Sequence, residues 1–233
     1  MLDFDAFEVL TFDCYGTLVD WETGLWKALQ PILAGHGVRA AAEEVLALYG
    51  ELESGIEGGE YREYREVLKN VLRGMGSRLG FAPDESELRR FSESVKDWPA
   101  FPDSADALHA LGKKYKLAVI SNIDDDLFEL SAKKLQARFD WVVTARQVRS
   151  YKPSLNNFRA AFQRIGLPTS RILHVAQSLF HDIAPAKALG LSAVWVNRRR
   201  GKQGPGATPP ARAHPDLEVP DLLTLARMAC QRS

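Results

Sequence analysis

From residue 99 onward, short apolar runs alternate with helical patterns, and this alternation restricts the chain to a parallel sheet flanked by helices. The runs are "YKLAVISN" (115–122), "FDWVVTA" (139–145), "RILHVAQS" (171–178) and "LSAVWVN" (191–197). Each is brief, apolar and bounded by turn residues, as buried strands are. A fifth run of the same form, "FEVLTFD" (7–13), stands near the N-terminus. Between them, "SADALHALGKK" (104–114), "DLFELSAKKLQ" (126–136), "LNNFRAAFQRIG" (155–166) and "DIAPAKALG" (182–190) carry apolar residues at helical spacing. Gly166 and Gly190 end the last two. Strands joined through helices pair in parallel. The fold class expected is α/β.

Residues 21–98 interrupt this rhythm. "GLWKALQPILAGHG", "AAEEVLALYGELE", "YREYREVLKNVLRGMG" and "DESELRRFSESV" read as helices with no strand among them. An all-helical block inserted after the first strand is expected to lie as a lid over the carboxyl ends of the sheet. "RRRGKQGPGATPPARAHPD" (198–216) is basic and rich in Gly and Pro, and reads as a solvated surface loop before a last helix.

Composition narrows the partners. Lys+Arg and Asp+Glu both number 30, so the basic surplus that nucleic acid or an anionic membrane would favour is missing. The two cysteines, Cys14 and Cys230, give no disulfide framework and suit a reducing compartment. The stretch "MLDFDAFEVL" is acidic and lacks the basic and apolar regions of a signal peptide. No apolar run approaches the length needed to cross a bilayer. The expectation is a cytoplasmic protein with no nucleic-acid partner, no membrane partner and a small-molecule substrate.

Four polar points fall at the ends of expected strands or in the loops after them: Asp13 with Thr17, Ser121 with Asn122, Lys152 in "YKPS", and Asp182 in "AQSLFHD". Any one alone is ordinary turn chemistry. In a parallel sheet, however, the carboxyl ends of neighbouring strands converge on one crevice. Asp13 is then a candidate carboxylate nucleophile. Lys152 would keep it ionised. The amides of the turn 14–17, with Thr17, Ser121 and Asn122, would hold developing negative charge. Asp182 would orient or deprotonate a water.

These motifs closely resemble the haloacid dehalogenase (HAD) superfamily: "FDCYGTL" its first, "ISN" its second, Lys152-Pro153 its third and "HVAQSLFHD" its fourth. The resemblance spans nearly the whole chain. It implies a Rossmann-like core over 1–20 and 99–233, an all-helical cap over 21–98, and an aspartyl-ester mechanism on Asp13. Phosphatases of the family carry a second Asp two residues after the nucleophile, where this chain has Tyr15. Their fourth motif often begins Gly-Asp with the Asp on Mg²⁺, where this chain has Ala176-Gln177. A departing halide needs no proton, whereas phosphoryl transfer uses both missing acids. The pattern therefore resembles the type II 2-haloacid dehalogenases, which implies a metal-independent enzyme without cofactor, a short halogenated carboxylic acid as substrate and, by family habit, a homodimer.

Tyr15, Asn122, Phe158, Gln177 and Ser178 are expected at the substrate. The family's cap-helix arginine falls at Gly50, its tyrosine after the lysine motif at Phe158, and its Ser-x-Asn at Gln177 and Leu179. Arg62, Arg65 and Arg73 are candidate substitutes for that arginine but read first as solvated helix faces. Cys14 is expected to pack. His181 is a candidate pocket residue. His36, His109, His174 and His214 lack metal-ligand spacing. Trp21 and Tyr15 would wall an apolar pocket, and Trp98, Pro99 and Phe101 would mark a hinge. The other readings are a Mg²⁺-dependent phosphatase, a ring-opening hydrolase and a non-catalytic binding protein on the same scaffold.

Overall fold

The computed structural model describes residues 2–230. Among them, six strands form one all-parallel sheet: β1 (Val9–Phe12), β2 (Lys116–Ser121), β3 (Trp141–Thr144), β4 (Ile172–Ala176), β5 (Ser192–Val196) and β6 (Leu217–Val219), in the order β3-β2-β1-β4-β5-β6. This is the Rossmann-like arrangement, and its strand order reverses at β1. The end of β1 is therefore the crevice of the fold, and Asp13 follows it directly.

The strands alternate between two cores, as the two-residue period of a strand demands. Leu10, Phe12, Leu117, Val119, Leu173 and Val175 face one layer, while Val9, Ala118, Ile120, Ile172 and Ala176 face the other. The first layer is completed by α5 (Ser104–Leu111), α6 (Asp125–Leu135) and α10 (Leu222–Cys230). The second is completed by α8 (Leu155–Ile165) and α9 (Ala184–Ala188). The one-turn helix α7 (Ala145–Val148) follows β3 directly, so the expected strand 139–145 stops one residue early.

The block after β1 is helical throughout: α1 (Trp21–Gly35), α2 (Ala42–Glu57), α3 (Tyr64–Leu79) and α4 (Glu85–Ser92). Local sequence sets their ends. Asp20 caps α1 by accepting from the Thr23 amide, Asp84 and Glu87 cap α4 reciprocally, and Gly80 closes α3 at φ +80°. The outgoing and returning segments run side by side. The Asp20 amide donates to Pro99 O at 2.8 Å, the Phe101 amide donates to Leu18 O at 3.0 Å, and Val19 bridges Ala100. Trp98 is fully buried beside them, with its ring against Gly24, where an added Cβ would lie 2.3 Å away.

The stretch 198–216 departs from its expected form. Residues 200–205 are exposed as expected, but Arg198, Arg199 and residues 206–208 dock on the protein. Arg198 pairs with Asp103 through Nη1 at 2.8 Å and lies over the Phe101 ring at 4.1 Å. Arg199 pairs with Glu22 and Glu43, and the Ala207 amide donates to Glu22 Oε1 at 3.0 Å. Ala207 is fully buried against α2 at Gly50, where an added Cβ would stand 2.5 Å from the Ala207 carbonyl oxygen. Glycine at 50 is thus what lets this strap reach the helix. The basic run satisfies acids of its own chain, a pairing that composition cannot reveal. Replacing Gly50 with Ala should force the two backbones apart and destabilise the fold by about 1–3 kcal/mol, measured by denaturant unfolding.

Candidate active site

Asp13 sits one residue beyond β1, with its amide donating to Val175 O at 3.1 Å on the neighbouring strand. The chain then turns sharply at Gly16, whose φ of +97° and whose 2.9 Å clearance to Gln177 Oε1 exclude a side chain. The turn brings Thr17 back beneath the carboxylate. Its hydroxyl donates to Asp13 Oδ2 at 2.7 Å and accepts from the Gln177 amide at 2.8 Å.

Lys152 arrives from the loop after α7. Asn122, at the end of β2, docks that loop: its Oδ1 accepts from the Lys152 amide at 2.7 Å and its Nδ2 donates to the Lys152 carbonyl at 3.0 Å. The Lys152 side chain is 1% exposed, and its ammonium donates to Asp13 Oδ1 at 2.8 Å, Asp182 Oδ1 at 2.7 Å and Ile120 O at 2.8 Å. An ammonium has three donors, so this one is saturated.

Asp182 lies in a single π-helical turn, Leu179–Ile183, capped by the Ser178 hydroxyl, which accepts from the His181 amide at 2.8 Å. Such turns re-aim side chains at functional sites. His174, inside β4, stands behind the carboxylate with Nε2 3.2 Å from Asp182 Oδ1 and Nδ1 2.9 Å from Thr11 Oγ1. Asp182 Oδ2 is buried without a partner among the described residues.

Burial raises the Asp13 pKa, against the pull of the Lys152 ammonium and the Thr17 hydroxyl. At Asp182 burial is outweighed by Lys152 and His174, and the pKa is lowered. Burial weakens the Lys152 ammonium, but the two aspartates overcome it and raise the pKa. Burial pushes His181 down to about 4, so the ring is neutral at pH 7.

These groups open onto a cavity of about 30 Å³. Its floor is Asp13, Ser121, Lys152 and Asp182, with Asn122, Ser178 and His181 to the side. Trp21 and Tyr15 form an aromatic wall, and the Tyr15 hydroxyl is engaged by Ser131 Oγ at 2.9 Å. The roof comes from the helical block: Glu53 and Glu57 of α2 and Tyr64 of α3, with Thr208 of the strap closing one edge. A second cavity of about 390 Å³ adjoins it and shares Glu57, Lys152 and His181.

Two expected site residues, Phe158 and Gln177, stand elsewhere, and a third, Thr17, holds Asp13 from behind. Thr17 is fully buried behind Asp13 and does not line the cavity. Phe158 is corrected from substrate contact to core. It is fully buried, with its ring 5.1 Å from that of His174, because the inward face of α8 is the face that covers the sheet. Gln177 is corrected likewise. Its side chain turns toward Gly16 and Thr208, and it borders a separate small cavity with Arg198 and Arg199. Of the candidate arginines, Arg65 pairs with Glu93 and Asp126, Arg73 pairs with Glu85, Arg62 is exposed, and none lines the cavity. Cys14 is fully buried in the core.

Sequence reasoning missed His174, Glu53, Glu57, Tyr64 and Thr208. Two signals were present. His174 interrupts an otherwise apolar strand, and Glu53 lies on the stripe of Leu46, Tyr49 and Gly50 that α2 buries.

The residues do not fit the divalent cation used by the family's phosphatases. Position 15 is a tyrosine, Gln177 turns away, and the facing oxygens of Asp13 and Asp182 are both taken by Lys152. Among the described residues no group of three or more His, Cys, Asp or Glu side chains is arranged to hold a metal ion.

Comparison with known proteins agrees with this architecture. The family model "haloacid dehalogenase-like hydrolase" matches residues 7–190. An (S)-2-haloacid dehalogenase of Pseudomonas fluorescens is 26% identical over 195 residues, covering 82% of this chain and 84% of that protein. One from Pseudomonas putida is 26% identical over 197 residues, covering 82% and 85%. The structure of L-2-haloacid dehalogenase from Xanthobacter autotrophicus with chloropropionic acid covalently bound superposes with a TM-score of 0.81 at 23% identity, covering 97% of this chain and 100% of that one. With four motifs converging on one crevice and a family match over most of its length, the chain belongs to the haloacid dehalogenase-like hydrolases.

Proposed function

We propose that the protein is a metal-independent hydrolytic dehalogenase of the 2-haloacid type. The observation that carries this reading is a buried Asp13 whose charge is held by the Lys152 ammonium, with Tyr15 in place of a second carboxylate. Such a site can displace a leaving group that needs no proton. The names of the relatives support the same reaction.

In the first step an Asp13 oxygen attacks the halogen-bearing carbon. A carbon–oxygen bond forms, the carbon–halogen bond breaks, and halide leaves with the electron pair. A partly desolvated carboxylate is a stronger nucleophile than a hydrated one, so burial serves the step as long as Lys152 and Thr17 keep the group ionised. In the second step a water loses a proton to Asp182 and attacks the Asp13 ester carbonyl. The acyl–oxygen bond breaks, the departing alkoxide takes the water's second proton to give the 2-hydroxy acid, Asp13 returns as a carboxylate, and Asp182 passes its proton to solvent. The unpartnered Asp182 Oδ2 is where that water would be held. The block 21–98 acts as a cap that supplies the roof, and the paired segments around Asp20 and Pro99 form its hinge.

Incubation with short 2-haloacids, with and without EDTA, tests the reading. Halide release insensitive to EDTA and lost by about a thousandfold or more in Asp13→Asn is the expected outcome, on the scale of removing a nucleophile. Phosphate release from a phosphate ester that requires Mg²⁺, or no halide from any short 2-haloacid, would overturn it.

The neutral His181 makes a separate prediction. Its folded pKa of about 4 lies below the ordinary 6.5, so the unfolded chain takes up a proton that the folded chain refuses. Its contribution is complete above pH 6.5 and is lost as the pH falls toward 4, by about 3 kcal/mol in all. The unfolding free energy of wild type, measured relative to His181→Gln across that window, should fall by this amount as the pH falls.

A further inference from the structure

The cavity holds more carboxyl groups than cations to pair with them. Four carboxyl groups line it, Asp13, Asp182, Glu53 and Glu57, and among the described residues the one lining ammonium or guanidinium is Lys152. Lys152 spends its three donors on Asp13, Asp182 and Ile120. Nothing cationic is left for the roof. Carboxyls out of water are costly unless partnered, and the two in the roof are partnered only in part.

Glu53 and Glu57 stand one turn apart on α2 and so share a face. Glu53 Oε1 accepts from Tyr49 at 2.6 Å and Tyr64 at 2.7 Å. Glu57 Oε2 accepts from Asn122 Nδ2 at 3.0 Å, while its Oε1 is buried with no partner among the described residues. Burial pushes the Glu53 pKa up to about 7, and burial with the neighbouring Glu53 pushes Glu57 well up.

The lower wall points independently to a polar ligand. Ser121 Oγ and His181 Nε2 lie on residues more than nine-tenths buried, line the same cavity and lack partners among the described residues. The Ser178 hydroxyl accepts from the His181 amide at 2.8 Å, so its own proton is free to go to His181 Nδ1 at 3.2 Å. In the tautomer that accepts this hydrogen bond on Nδ1, Nε2 carries the ring hydrogen and is the donor. The cavity thus offers two neutral polar groups on one side and, on the other, the unpartnered Glu57 Oε1, whose carboxyl becomes an acceptor for an arriving cation as its proton passes to solvent.

We infer that the substrate is an amino-substituted 2-haloacid. Its carboxylate takes the Ser121 hydroxyl and His181 Nε2–H, and its ammonium docks on Glu57 Oε1 beside Glu53. This rests on the haloacid reading for the reacting carbon and adds a zwitterion to it. The neighbouring cavity, which shares Glu57 and His181, gives a longer amino arm room to extend.

Product binding tests the inference without turnover. Calorimetry would compare 3-amino-2-hydroxypropionate with lactate on wild type, Glu57→Gln and Glu53→Gln, each checked for an unchanged thermal midpoint. The amino acid should bind wild type about tenfold tighter than lactate, and Glu57→Gln should erase most of that preference. Equal or tighter lactate binding, or no binding of the amino acid, overturns the inference. So does a Glu57→Gln protein that keeps the preference, and so does one that tightens for lactate, which would mean that a protonated Glu57 had been holding a carboxylate. A parallel halide assay with 2-chloropropionate and 3-amino-2-chloropropionate separates the two readings. Silence with both chloroacids, beside intact amino-acid preference, defeats the dehalogenase alone. Equal turnover of the two chloroacids, without binding preference, defeats the ammonium site alone.

Discussion

The Lys152 ammonium, held between Asp13 and Asp182 with Ile120 O as its third acceptor, is the contact on which the site is built. Its partners come from the end of β2, the residue after β1 and the π-helical turn after β4. A lysine buried to 1% is tolerable only because each proton has an acceptor. Removing any one partner would leave a charge stranded in the crevice, so the alignment of the strands and the protonation of the site support each other.

Supports around that ion pair fix its geometry and leave little to chance. Thr17 holds one Asp13 oxygen, His174 meets the same Asp182 oxygen that Lys152 holds, and Asn122 ties the lysine loop down by two backbone hydrogen bonds. Thr17 and His174 stay out of the cavity, and Asn122 lines it with its amide already committed to protein atoms. Phe158 stands one layer further back, packed on the His174 ring. The Asp13 carboxylate is held by buried groups, while the groups left open belong to Ser121, His181 and the roof of the helical block.

The strap 198–216 shows why composition misleads about loops. Three consecutive arginines beside Gly and Pro read as solvent-facing, yet Arg198 and Arg199 bind Asp103, Glu22 and Glu43 from segments more than ninety residues away. The same approach explains the glycine at 50. Backbone from the strap occupies the space that a side chain there would need. The short strand β6 was equally hidden, because three residues are too few to show a period.

The sequence by itself determined the alternation of strands and helices, the helical interruption at 21–98, and the four polar points at strand ends. These are local properties: periodicity, turn chemistry and the polarity of a residue closing an apolar run. Tertiary structure decided which of the named residues meet. It brought Asp13, Ser121, Lys152 and Asp182 together because β1 lies between β2 and β4, it turned Phe158 and Gln177 away, and it set Glu53 and Glu57 over Asp13. An acid on a helix looks the same in sequence whether it faces water or a buried carboxylate. Only the packing of α2 across the crevice makes the difference.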